Sequence, residues 1–373
     1  MRILKSRIAL LVLSGLASLM LAELFCEFYL PERSDTFVVN LLNYRQKYHH
    51  DLRLKETLHA PRAEAFRVMF LGDSFTWGPA SPEDSFPHQV EEMFQKGSVP
   101  GVPKLDVQSF NLGMVSYSPS IYGVVLRDYA PELKPHLVVL AVDDSDLQDD
   151  LVYSPMVVRD GDGLPLSVYP APPGVPRWLL PIAKRSKLVR LALAQLHRGR
   201  IQAERRSWDP LDRRLMTNRY SHYIPEHASA WEPEFSRSMA LIDAIVRYCR
   251  RHEMQIAIVN YPYLPAVTRL HGREWRKLFG LDGDRIYDPV WHRVQRQYAE
   301  SRQVPYYDFT NYLRRLNDHE GIYREGDGHF TVAGDRMLAE ELVRFISTVR
   351  RPRSAAATRG RIPTTVATGP AGS

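Results

Sequence analysis

The chain has 373 residues, 44% hydrophobic and 25% charged, ordinary globular values that rule out wholesale disorder and a multi-span transporter. A balance of 49 Lys and Arg against 43 Asp and Glu gives a formal charge of +6. With no clustered basic face in the middle of the chain, that excess is no argument for a nucleic-acid partner. Two cysteines, Cys26 and Cys249, exclude a disulfide framework and a Cys-based zinc site.

Residues 8–22 carry no charge and follow Arg2, Lys5 and Arg7. The apolar run continues less cleanly to Leu30, broken by Glu23 and Glu27, and Pro31 stops it. A cleaved signal peptide and an uncleaved anchor both fit. The anchor is favoured because small-x-small cleavage chemistry is poor, Met20 lying two positions before Ala22. Residues 1–30 are therefore expected to be a single-pass helix in the cytoplasmic (inner) membrane. The leading basic residues keep that end inside, and the rest of the chain is exported. Cys249 would then be an unpaired small hydrophobe in a helix. Residues 31–64 read as a stalk; its His49 and His50 are either a metal pair or simply solvated.

From Phe66 the pattern is α/β. Apolar runs at 66–71, 105–110, 137–142, 255–260 and 304–309 read as strands, and the continuously apolar 137–142 as a buried parallel one. Helical spacing covers about 84–96, 120–129, 235–252, 289–301 and 333–348. Residues 151–234, with a proline cluster at 170–176 and an Arg-rich patch around 184–206, break the rhythm as an insertion packed over or beside the sheet. The basic patch suits an anionic polymer, lipid headgroups or a solvated helix face. The hydrolase-sized unit is 65–349, and residues 350–373 have the composition of a disordered tail. Alternating strands and helices imply a mainly parallel sheet with helices on both faces. In such sheets reactive residues collect at the carboxyl ends of the strands.

Four places meet that condition: Asp73 and Ser74, Asn111 to Gly113, Asp143 to Asp146, and Asp327 to His329 before the last helix. A serine in a tight Gly-flanked turn after a strand is placed to attack, but needs a base. His329 can be that base, with Asp327, two residues back on an extended stretch, holding its Nδ1–H. Gly113 lets a substrate carbonyl approach its N–H, and with the Ser74 N–H would make a two-donor oxyanion hole. Each motif alone also reads as an ordinary turn or cap, with Thr331 capping the last helix. Asp143, Asp144, Asp146, Asp149 and Asp150 read as a cation site or a solvated acidic loop. Trp77 and Tyr117 are candidates to line an acyl pocket, or core aromatics.

Gly72 to Gly78, Asn111 to Gly113, the acidic segment after the third strand, and Asp327 to His329 together resemble the ordered blocks of the SGNH (GDSL) hydrolase superfamily, over about residues 66–348 apart from the insertion. The resemblance implies a flavodoxin-like three-layer α/β/α sandwich. It implies Ser74 as nucleophile, Gly113 as oxyanion donor, Asp327 and His329 completing the triad, and no metal or organic cofactor. The sequence departs from the family in its third block, where Ser145 stands in place of an asparagine that donates to the oxyanion. It also departs in the Asp-x-His spacing, which resembles that of alginate O-acetyltransferase proteins. The function implied is an acyl, chiefly acetyl, ester hydrolase or acyltransferase acting on an acylated carbohydrate of the envelope or an exported polysaccharide. A catalytically weak binding or assembly protein on the same fold is the alternative, and metal-dependent hydrolysis through the aspartates a third.

Overall fold

The computed structural model describes residues 2–29, 58–79, 81–153, 157–168, 178–193, 195–196, 221–223, 225–267, 286–316, 321–324 and 328–350. The His49–His50 pair, nearly all of the stalk and the tail beyond Arg350 lie outside the described residues.

A five-stranded parallel sheet forms the centre. Its strands are β1 (Phe66–Leu71), β2 (Val107–Asn111), β3 (Leu137–Asp143), β6 (Gln255–Tyr261) and β7 (Tyr306–Asp308), in the order β2-β1-β3-β6-β7. Every pairing in it is parallel. This is the flavodoxin-like order, with the reversal between β1 and β3. All seven residues of β3 are buried, because both faces of a central parallel strand are covered. Val138, Leu140 and Val142 face one layer, Leu137, Val139 and Ala141 the other.

The first layer holds α4 (Pro119–Leu133), α5 (Asp146–Tyr153), α7 (Glu232–Arg251) and α9 (Val290–Arg302), packing Ile121, Leu147, Ile245 and Trp291. The second holds α3 (Phe86–Lys96), α8 (Leu264–Val267), α10 (Phe309–Arg314) and α11 (Val332–Val349), packing Phe86, Ala266, Phe309 and Leu342. The sequence expectation for each strand falls within about two residues of the observed one. Helix α4 runs further than its periodicity suggested. Pro119 starts it at a position where a missing N–H costs nothing, and Pro131 falls near its end.

The insertion is not a bare loop. It contains a short antiparallel pair, β4 (Val157–Arg159) and β5 (Pro165–Val168), and the helix α6 (Leu179–Arg185). Residues 2–29 form one helix, α1 (Arg2–Tyr29). Among the described residues no helix is long and apolar enough to cross a membrane. Glu23 of α1 does not simply face solvent. It accepts hydrogen bonds from Ser186 Oγ (2.6 Å), Lys187 N (2.5 Å) and Leu188 N (3.1 Å), capping the helical segment that follows residue 186 of the insertion.

Candidate active site

Chain reversal after β1 is sharp. Gly72 has no room for a side chain, since a Cβ there would sit 1.9 Å from Thr76 Oγ1. Asp73 then caps the one-turn helix α2 (Ser74–Trp77) by accepting from Phe75 N at 2.9 Å. Ser74 is the first residue of that turn. Its N–H is among those a helix cannot satisfy internally, and its side chain stands half-exposed at the carboxyl end of the sheet.

His329 reaches this point from 255 residues away. Tyr323 and Phe330 pair as an antiparallel bridge, Arg324 N donates to the His329 carbonyl at 2.7 Å, and Thr331 caps α11. The imidazole lies against Phe75, with ring centroids 4.8 Å apart. Ser74 Oγ and His329 Nε2 are 2.8 Å apart, within reach for proton transfer. Asp327 lies outside the described residues.

The expected oxyanion donors are arranged otherwise. The Gly113 N–H donates to Asn111 Oδ1 at 3.0 Å. Asn111 is itself held by donating to Thr76 O (2.9 Å) and Ser85 Oγ (3.3 Å). The missing side chain of Gly113 serves packing: a Cβ would lie 2.6 Å from both Thr76 Cβ and Trp77 N, so this strand end is pressed against α2. Ser145 is turned away from any oxyanion role, its N–H and its hydroxyl both donating to Asp143 Oδ1 at 2.8 Å. A one-carbon side chain next to an aspartate closes a local turn more readily than it reaches outward. Tyr117 is 3% exposed and belongs to the core, so it does not line an acyl pocket. Trp77 is half-buried on α2.

The aspartates after β3 are spent on protein donors rather than gathered about a cation. Asp143 accepts from Ser145, from Asp146 N (3.1 Å) and from Tyr263 OH (3.0 Å). Asp144 takes His222 Nε2 at 3.2 Å and the Tyr223 hydroxyl. Asp146 takes Tyr122 OH at 2.8 Å, and Asp150 takes Ser118 Oγ (2.7 Å) and Ser238 Oγ (2.5 Å). Among the described residues no group of three or more His, Cys, Asp or Glu could hold a metal ion. Burial pushes the Asp73, Asp143, Asp146 and Asp150 carboxyls up, and neighbouring carboxylates push the first three further.

Sequence reasoning missed the partners of these acids. His222 and Tyr223 come from the insertion, Tyr263 from after β6, and His292 from α9. His292 sits between Asp308 (Nδ1 to Oδ1, 3.2 Å) and Asp144 (Nε2 to Oδ1, 3.6 Å). Asp308 ends a strand and so met the same positional condition as Asp73 and Asp143. A cavity of about 340 Å³, lined by Gln255, Ile256, Val304 and Pro305 among others, lies at the amino ends of β6 and β7, the end of the sheet away from Ser74.

No protein-family model matches the chain, and no curated protein does. Solved structures do. An acetylxylan esterase of Geobacillus stearothermophilus, solved as a catalytic mutant, is 15% identical (TM-score 0.40, covering 78% of this chain and 96% of that one). A carbohydrate acetylesterase family member from Sinorhizobium meliloti is 14% identical (TM-score 0.38, 76% and 98%). A GDSL-like lipase from Bacteroides thetaiotaomicron is 10% identical (TM-score 0.39, 83% and 98%).

Proposed function

We propose that the chain is a serine-dependent acyl ester hydrolase or acyltransferase of the SGNH type. The observation that carries the reading is the 2.8 Å contact of Ser74 Oγ with His329 Nε2, made at the topological switch point of the sheet. Ser74 Oγ attacks the acyl carbonyl while its proton passes to His329 Nε2. The tetrahedral intermediate collapses, the alcohol leaves with that proton, and water or a sugar hydroxyl resolves the acyl-serine. Asp327 orients His329, and the Ser74 N–H at the start of α2 faces the developing oxyanion. The substrate class is an acetylated or otherwise acylated carbohydrate, in keeping with an exported domain.

The same reading makes α1 an inner-membrane anchor with the domain on the periplasmic side. Arg2, Lys5 and Arg7 precede the uncharged stretch, and Leu13, Met20, Leu21, Phe25 and Phe28 are all more than half exposed. Large apolar side chains exposed in that number need lipid or protein about them. Retention of the full chain in the membrane fraction after carbonate washing tests this; release into the wash would refute it.

One observation favours a second reading, a binding or assembly protein with little catalysis: Gly113 N–H and Ser145 are both committed to internal acceptors. Hydrolysis of p-nitrophenyl acetate by the protein and by Ser74→Ala decides between the two. The enzymatic reading expects a loss of about 10⁴-fold or more in the variant and labelling of Ser74 by a fluorophosphonate. Equal rates in the two proteins leave only the binding role.

A further inference from the structure

We infer that Asp73 is a positioning residue for the nucleophile: it shares a proton with Asp143 and, by staying neutral, leaves the single hydroxyl hydrogen of Ser74 to point at His329. The inference rests on the reading of Ser74 as the nucleophile.

A serine hydroxyl has one hydrogen to give. Ser74 Oγ has two acceptors within reach, His329 Nε2 at 2.8 Å and Asp73 Oδ2 at 3.2 Å. An ionised Asp73 would be the stronger claimant, since hydrogen bonds to a carboxylate are roughly twice as strong as neutral ones. The hydrogen would then point away from the base that must receive it. The geometry removes that competitor. Asp73 is 1% exposed, and its carboxyl hydrogen-bonds the carboxyl of Asp143, also 1% exposed. Two buried carboxyls in contact do not both ionise.

Donor placement fixes where the proton resides. Asp143 receives Ser145 N, Ser145 Oγ, Asp146 N and Tyr263 OH, a set that favours its carboxylate. Asp73 receives a single backbone donor, Phe75 N on Oδ1, and has Ser74 Oγ 3.2 Å from Oδ2. The proton therefore sits on Asp73 and is donated to Asp143. The surroundings agree. Asp143 and Asp149 are the charged groups acting most strongly on Asp73. Asp146, Tyr122 and Tyr261 face the same space, and His329 stands beyond Ser74. Burial first, then the Asp143 charge, hold the Asp73 carboxyl well above the usual carboxylate range.

The consequence is an alkaline limb in the pH–rate profile that belongs to the carboxyl pair, not to His329, which must be neutral to act. Asp73→Asn tests it. The amide keeps the cap on Phe75 N and the donated bond to Asp143 but has no proton to lose. Asp73→Ala keeps neither. In the full chain acting on p-nitrophenyl acetate, Asp73→Ala is expected to lose about 100-fold in kcat. Asp73→Asn should recover most of that loss and lack the alkaline limb. An alkaline limb that survives unchanged in Asp73→Asn overturns the inference. Infrared spectroscopy gives a readout independent of turnover. The carbonyl stretch of a protonated carboxylic acid at mildly alkaline pH should lose intensity in Asp73→Asn, in both the active and the Ser74→Ala background. No lost intensity means Asp73 is ionised, and the inference fails. If instead Ser74→Ala hydrolyses as fast as the parent, it is the nucleophile assignment that fails, and the infrared result still locates the proton.

Discussion

Gly113→Ala separates packing from hydrogen bonding at the site, because alanine keeps the backbone N–H. An added Cβ would meet Thr76 Cβ and Trp77 N at 2.6 Å, where ordinary contact begins at 3.4 Å. Something must therefore move by about 0.8 Å, and the backbone of α2 offers no flexible side-chain tip to give way. Overpacking of this kind costs about 1–3 kcal/mol. The movement is also aimed at Ser74, which begins α2, and a shift approaching 1 Å opens its 2.8 Å contact with His329. Misplacement on that scale costs on the order of 100-fold in rate. The expected result is a melting temperature lowered by a few degrees and kcat on p-nitrophenyl acetate lowered by about two orders of magnitude, with KM little changed. Thermal melts and steady-state kinetics on the same preparation read both. Wild-type stability with wild-type kcat would refute the reasoning, since the strand end and α2 could not then be pressed together as described.

Three further substitutions probe the surroundings. Burial alone would lower the His292 pKa, but the Asp144 and Asp308 carboxylates outweigh it and raise it; the resulting stabilisation is complete below about pH 6.5, the unfolded value, and is lost as pH rises through the higher folded one. His292→Gln should therefore flatten the dependence of melting temperature on pH above neutrality, and an unchanged slope would count against the ion pair. Asp144→Ala leaves His222 and Tyr223 buried without their carboxylate acceptor; a loss of about 2–4 kcal/mol in urea unfolding is expected, with earlier proteolytic cutting in the insertion. Glu23→Ala removes a cap worth about 1 kcal/mol; the amides of Lys187 and Leu188 should exchange faster with deuterium while those of β3 do not.

The sheet was legible because a parallel strand buried on both faces must be apolar throughout, a local signal that Leu137 to Val142 carry in full. Ser74 and His329 could be singled out as neighbours because each sits at a strand or helix boundary, whatever the rest of the chain does, and the fold brings them within 2.8 Å. Gly113 and Ser145 make other hydrogen bonds than the sequence suggests, for a shared reason. Gly113 reads in sequence as an opening for substrate, yet its space is filled by Thr76 and Trp77. Ser145 reads in sequence as a stand-in donor, yet its hydroxyl is claimed by Asp143, two residues away. Local composition does not say which neighbour claims a hydrogen bond. Tyr117 misled similarly, since an aromatic after a reactive strand serves a pocket or a core, and only the position of α4 decides.

What sequence could not supply is the second layer of polar partners, and the reason is physical. A buried carboxylate is tolerated only where donors or a shared proton meet it, and those donors come from wherever the fold brings the chain past. Asp144 draws His222 and Tyr223 from the insertion, Asp143 draws Tyr263 from beyond β6, and Asp73 is met by Asp143 itself. The acids that read as ligands for a cation, or as a solvated loop, are therefore the points at which distant segments are fastened to the carboxyl end of the sheet. The insertion is part of that end, because the carboxylate it satisfies adjoins the one that hydrogen-bonds Asp73. A change in the insertion can thus reach Ser74 through three carboxyls, those of Asp144, Asp143 and Asp73.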